Sequence, residues 1–238
     1  HMHGFSEISS ISDSFNQMID VIQNQDTARQ EFVSNVSHEL KTPIASMKVL
    51  ADSLLSQEGM PEEIYREFLG DITNEIERMT KIINDLLSMV KMDKNTSQME
   101  VVNTSINDLL EQLLKRLRPI AAKRNIELIY ESYRPVMADI DETKMSIALN
   151  NLIENAIKYT PDGGTITVSL AKVGRDAVLD ISDTGVGIPA EDLPHVFDRF
   201  YRVDKARSRE TGGTGLGLSI VKHAAQYHGA KLELKSDP

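Results

Sequence analysis

The chain has 238 residues, with 36 Asp+Glu against 26 Lys+Arg for a formal charge of −10, 40% hydrophobic residues, and neither Cys nor Trp. The excess negative charge repels phosphate backbones and no basic patch stands out, so nucleic acid is excluded as a partner class. The missing thiols exclude disulfides and thiolate metal sites; no run approaches the roughly 18 apolar residues of a membrane span, and the length suits two ordinary domains.

His1-Met2-His3 reads as a vector remnant. Up to about residue 90 the only breakers are Gly4, Gly59, Gly70, Pro43 and Pro61, which predicts helix. A first segment with Ile8, Ile11, Phe15, Met18, Val21 and Ile22 feeds into a run in which Val33, Val36, Leu40, Pro43, Met47, Leu50 and Leu54 alternate three and four apart. Gln57–Pro61 punctuates it, and a second run follows through Phe68, Ile72, Ile76, Met79, Ile83, Leu86 and Val90. Two long helices with a short connection form an antiparallel hairpin. A hairpin with one apolar seam cannot bury it alone, so two copies are expected to pair as a four-helix bundle.

The polar stretch Lys94–Gln98 marks a linker, after which the texture becomes mixed α/β. Ser105 and Asp108 resemble a capping box that opens a helix to about Lys123. Strand-like runs at 126–131 and 136–139 precede a helix from Asp141 to Tyr159, then strands at 165–171 and 177–182. Residues 185–211 lack periodicity over a length typical of lids or disordered segments. A helix from Leu216 to about His228 and a last strand near Lys231–Leu234 are expected to close the chain.

Four constellations carry chemistry. In Ser37-His38-Glu39-Leu40-Lys41-Thr42-Pro43, His38 lies about 180° from the seam direction, so its imidazole is expected in solvent. Glu39 is placed to hold one ring nitrogen as N–H and leave the other nucleophilic. Thr42 sits one turn away on the same side, and Pro43 removes the donor for the Glu39 carbonyl, allowing a bend. Asn151, Asn155 and Lys158 fall within about 60° on one face of their helix, a set of hard neutral ligands plus one cation suited to Mg²⁺ and phosphate. Asp183-Thr-Gly185-Val-Gly187 follows a strand and offers a carboxylate to an amino group. Gly212-Gly213-Thr214-Gly215-Leu216-Gly217 leads into a helix, and exposed amides at a helix N-terminus favour anions. Phe197, Phe200 and Tyr201, with Arg199, Arg202, Lys205, Arg207 and Arg209, lie between the glycine segments. Each constellation also has a plain reading: a solvated His, a polar helix face, a tight turn, a flexible connector.

In this order the motifs resemble those of the sensor histidine kinases of two-component signal transduction. His38–Pro43 matches the phosphoacceptor box and Asn151–Ala156 the asparagine box; Asp183–Gly187 matches the first glycine box, Phe197–Phe200 the phenylalanine box and Gly213–Gly217 the second glycine box. The resemblance runs from about Gln30 onward, and the stretch before it is similar to the tail of a HAMP linker. It implies an α+β fold: a helical hairpin forming a dimeric four-helix bundle, followed by an α/β sandwich ATP-binding domain shared with gyrase. The implied domains are 1–28 (tag remnant and signalling helix), 29–95 (dimerisation and phosphoacceptor hairpin) and 96–238 (catalytic ATP-binding domain).

The resemblance further implies a transferase that phosphorylates His38 from ATP with Mg²⁺ and passes the group to an aspartate of a response-regulator receiver domain, with phosphatase activity as its counterpart. Glu39 would be the base and Thr42 the residue that orients water in dephosphorylation. Asn155 would hold Mg²⁺ with Asn151 near the phosphates, and Lys158 and Tyr159 would line the nucleotide. Asp183 would bind the adenine amino group, while Gly185, Gly187, Gly213, Thr214, Gly215, Leu216 and Gly217 shape pocket and lid. The chain is then the cytoplasmic portion of a sensor whose membrane attachment lies in upstream segments, and it stops before the family's final strand. The competing readings are a catalytically degenerate dimeric docking module and an ATP-driven clamp that hydrolyses ATP without His38.

Overall fold

A computed structural model describes residues 3–56, 61–94, 100–204 and 213–237. The turn residues 57–60, most of the polar linker (95–98), Lys205, Arg207, Arg209 and Gly212 lie outside the described residues. The chain divides into two units, residues 1–80 and 81–238.

The first unit is helical. α1 (His3–Ser56) runs unbroken for 54 residues with Pro43 in its interior. α2 (Glu62–Lys94) opens with Glu62 and Glu63 in its first turn, where negative charge suits the helix dipole. Along α1 the expected seam is half-buried at Val36, Leu40, Met47, Leu50 and Leu54 and fully buried at Pro43. Val33, named in that seam, is 56% exposed. Arg78 Nη2 lies 3.7 Å from Glu39 Oε2 and links the two helices as a hairpin.

On α2 the expected single seam resolves into two. Phe68, Ile72, Met79 and Leu86 are half-buried and Ile82 and Met89 fully buried, whereas Ile76, Ile83 and Val90 are exposed. With Leu69, also exposed, these three repeat every seven residues along an open apolar stripe. The helix is apolar on two faces, and one chain covers only one of them.

The second unit takes in the end of α2 and an α/β layer structure. β1 (Val102–Ser105) pairs antiparallel with β3 (Met137–Ile140), while β2 (Glu127–Ser132), β4 (Thr165–Val173) and β5 (Asp176–Asp183) form a mixed sheet in the order β2-β4-β5. β2 runs parallel to β4 in the register Leu128↔Ile166, and β4 antiparallel to β5 with Val168↔Ile181. α3 (Ile106–Ala122) is capped by Ser105, whose Oγ accepts the Asp108 N–H at 3.2 Å, as the capping-box reading expects. α4 (Glu142–Tyr159) is capped in the same way by Asp141.

Core residues follow the two periods. α3 buries Leu110, Leu113, Leu114 and Leu117, α4 buries Leu149, Ile153 and Ala156, and alternate residues Ile166, Val168 and Leu170 of β4 meet them. α5 (Gly217–Tyr227) packs on α4. The His228 ring fixes its far end: Nδ1 lies 2.8 Å from the Ala224 carbonyl, and Nε2 accepts the Asp141 N–H at 3.0 Å.

Two elements differ from the sequence reading. β1 was not expected, because its four residues include one large apolar side chain, Val102; its pairing with β3 is reinforced by Asn103 Nδ2–H donating to Asp139 Oδ1 at 2.8 Å. The last strand expected near Lys231–Leu234 does not form. Alternation supplies a face, but Leu232 and Leu234 stay 36% and 39% exposed with no ladder partner among the described residues.

Candidate active site

One group of candidate residues lies on α1 in the first unit. His38 is exposed, as its position opposite the seam requires. One turn on, Thr42 Oγ1–H donates to the His38 carbonyl at 3.1 Å. Pro43 has no N–H for the Glu39 carbonyl, so this turn holds together partly through a side chain. Glu39 is half-buried, and its carboxylate faces Arg78, which also lies 3.7 Å from Glu75. A guanidinium from α2 thus anchors the residue next to His38, a partner that helical spacing within α1 could not reveal.

A separate group of candidate residues lies in the second unit. Asn151, Asn155 and Lys158 are half-buried on one face of α4, and Tyr159 is 37% exposed. Asn151 Nδ2–H donates to the Ile147 carbonyl at 2.9 Å, leaving Oδ1 turned toward the start of α5. A Cβ placed on Gly217 would lie 2.9 Å from that Oδ1 and 3.7 Å from Asn155 Nδ2. The second glycine segment and the asparagine helix therefore meet at backbone contact distance.

Gly215 has φ +73°, and a Cβ there would fall 2.7 Å from the Phe200 carbonyl carbon. The Phe200 N–H donates to the Gly215 carbonyl at 2.8 Å, and Phe200 itself has φ +65°, a costly conformation for a bulky residue. Leu216 is fully buried, and Gly213 and Thr214 precede it. Asp183 closes β5, with Oδ1 accepting the Gly185 N–H at 2.8 Å. The Val186 N–H reaches the Tyr159 carbonyl at 3.3 Å, and Gly187 follows with φ +69°. Both glycine segments, the Phe200 turn and the asparagine face thus share one neighbourhood.

Charges of both signs meet in this neighbourhood. Burial, reinforced by the charges of Lys81 and Arg202, pulls the Lys158 ammonium down to about 8. Its Nζ lies 4.8 Å from the Tyr159 ring centroid. On the neighbouring side, Thr214 Oγ1–H donates to Asp85 Oδ2 at 2.6 Å, and burial pushes the Asp85 carboxyl up. Asp85 was not singled out from sequence: it reads as one more acidic residue on an amphipathic helix.

Two family profiles match the chain: "His Kinase A (phospho-acceptor) domain" over residues 28–95, and "Histidine kinase-, DNA gyrase B-, and HSP90-like ATPase" over 140–238. The chain belongs to the sensor histidine kinases. This histidine kinase is 39% identical to the sensor histidine kinase WalK of Bacillus subtilis over 213 residues, which is 88% of this chain and 35% of WalK. It is 36% identical to the sensor-like histidine kinase SenX3 of Mycolicibacterium smegmatis over 90% of this chain and 55% of SenX3. It is 35% identical to the phosphate regulon sensor protein PhoR of Pseudomonas aeruginosa, covering 88% of this chain and 47% of PhoR. The chain thus spans about a third to a half of these relatives.

Among solved structures, the Acinetobacter baumannii histidine kinase AdeS shares the fold with TM-score 0.61 at 23% identity, over 80% of this chain and 86% of AdeS. A structure of the histidine kinase ThkA in complex with response regulator protein TrrA shares it with TM-score 0.61 at 22% identity, over 72% of this chain and 50% of that one. The fold of this kinase is accordingly a helical hairpin followed by an α/β ATP-binding domain.

Proposed function

We propose that the chain is the catalytic core of a two-component sensor, transferring the γ-phosphoryl group of ATP to His38 and then to an aspartate of a response-regulator receiver domain. The observation that carries the kinase reading, rather than nucleotide binding alone, is the exposure of His38 on α1 one turn before Thr42 and Pro43. In the transfer, an imidazole nitrogen of His38 forms the N–P bond as the bond to the leaving ADP oxygen breaks, and Glu39 takes up the ring proton. The chemistry asks for in-line positioning and charge neutralisation.

The donor set fits a magnesium nucleotide. Asn151 presents its Oδ1 and Asn155 its side-chain amide beside the start of α5, Asn155 Oδ1 is a neutral hard donor, helix N-termini favour anions, and Lys158 adds a cation. Mg²⁺ on Asn155 would neutralise triphosphate charge. Asn151, Lys158 and Thr214 would hold the phosphates. Asp183 would accept a hydrogen bond from the adenine amino group, with Tyr159, Gly185 and Gly187 lining that side. Gly213, Gly215, Leu216 and Gly217 would shape the phosphate end and its lid, and Thr42 would orient water in dephosphorylation.

The open heptad stripe of Leu69, Ile76, Ile83 and Val90 supports a homodimer built as a four-helix bundle. The description of ThkA with its response regulator supports the partner class. We read residues 1–28 as tag remnant and signalling helix, 29–95 as the dimerisation and phosphoacceptor hairpin, and 96–238 as the ATP domain. No helix among the described residues is long and apolar enough to cross a membrane; we place any membrane attachment in upstream segments and this region on the cytoplasmic side. The test is incubation with γ-labelled ATP and Mg²⁺. The wild type should take up label that survives base and is lost in acid, and His38→Gln should take up none. Equal labelling of His38→Gln refutes the assignment.

A further inference from the structure

Thr214 is 5% exposed, and its single hydroxyl does two things at once. Oγ1–H donates to Asp85 Oδ2 at 2.6 Å, within the range of a charge-assisted O–H···O⁻ bond, while Oγ1 accepts the Leu216 N–H at 3.3 Å. Leu216 immediately precedes α5, whose first residue, Gly217, lies against Asn151 and Asn155. A carboxylate on α2 is therefore joined, through one hydroxyl, to the amides at the positive end of α5. Lys81, one turn before Asp85, lies 3.5 Å from Glu154, so α2 meets α4 here as well.

Two consequences follow from elementary chemistry. A hydroxyl has one proton, and while Thr214 gives it to Asp85 it cannot give it to a phosphate oxygen. A carboxylate beside the same helix end also repels a polyanion approaching that end. Both effects oppose nucleotide and both vanish when the contact opens.

We propose that the Asp85–Thr214 contact is an intramolecular clasp that competes with the nucleotide, so that α2 must release the second glycine segment before Thr214 and the start of α5 engage a phosphate. This rests on the ATP reading of the site. Asp85 is thereby a positioning residue: it acts through where it holds the Thr214 hydroxyl. The raised carboxyl of Asp85 is in keeping with a contact that is readily surrendered.

The test titrates the whole chain with a fluorescent ATP analogue and Mg²⁺ and follows amide hydrogen exchange across residues 214–217. Asp85→Ala should bind the analogue about ten- to a hundredfold more tightly, the range set by one hydrogen bond to a charged group. Asp85→Asn, which keeps an acceptor and loses the charge, should fall between the two. Exchange at 214–217 should be faster in Asp85→Ala than in the wild type before nucleotide is added, and equal to it afterwards. Equal or weaker binding in both variants overturns the clasp; should Asp85→Ala fail to fold by circular dichroism, the isosteric Asp85→Asn decides alone. A wild type that binds with variants that do not differ overturns the clasp and leaves the ATP reading standing. Binding by none of the three overturns both, and binding by the variants alone supports the clasp.

Discussion

Lys158 is the most informative single residue to perturb. Its ammonium falls from 10.5 to about 8 because burial and the nearby Lys81 and Arg202 disfavour its charge. A displacement of that size corresponds to about 3.5 kcal/mol at ~1.4 kcal/mol per pH unit. Solvent still reaches part of the side chain, so about half of it counts, ~1.7 kcal/mol. The Tyr159 ring, worth ~0.5–1 kcal/mol to a cation at a partly exposed site, does not offset this.

The sign is unfavourable to folding. A lysine whose folded value is depressed costs stability wherever it is charged, fully below about pH 8, and the cost fades as pH rises from there toward 10.5. Lys158→Met should therefore raise the melting temperature of the ligand-free protein at neutral pH by about 3–7 °C, with the two proteins converging in strong base. Nucleotide binding should move the other way. If phosphate returns Lys158 to its ordinary range, wild-type affinity should fall about five- to tenfold between pH 7 and pH 9 as the free ammonium titrates. Isothermal titration of both proteins across that range is the assay, since any titration of ATP itself is common to both. Parallel affinity curves for wild type and Lys158→Met would refute the claim that Lys158 meets the phosphates.

Gly215→Ala must place a side chain at φ +73° and against the Phe200 backbone; the left-handed conformation alone costs about 1–2 kcal/mol. Nucleotide affinity and thermal stability should both drop, as calorimetry and titration will show. Ile76→Glu with Ile83→Glu should convert a dimer to a monomer in light scattering, because both residues lie on the open stripe of α2; a persistent dimer would remove that stripe from the interface. Pro43→Ala restores the donor for the Glu39 carbonyl and removes a helix-interior penalty of roughly 3 kcal/mol. The stiffened turn beside His38 should change the ratio of kinase to phosphatase activity measured with a receiver domain, and an unchanged ratio would deny Pro43 a signalling role.

Local chemistry made much of this protein readable from its residues. The three-and-four spacing through Val36, Leu40 and Met47 specified α1 and, by difference, the exposure of His38, because a helix has a fixed 100° step and one seam defines the opposite face. Ser105 and Asp141 announced two helix starts by supplying an oxygen to amides that have no helical partner. Tertiary structure alone decided what depends on distant neighbours. β1 exists because β3 offers it a ladder, and the alternation at Lys231–Leu234 forms no strand because none of the described residues offers it one. Ile76 and Ile83 lie open because α2 has two apolar faces and one chain covers one. Arg78 beside Glu39, Gly217 against Asn151 and Thr214 bonded to Asp85 join residues 39, 66 and 129 positions apart. A periodic pattern encodes the direction in which a side chain points along its own element; only packing determines which side chain from elsewhere in the chain it meets.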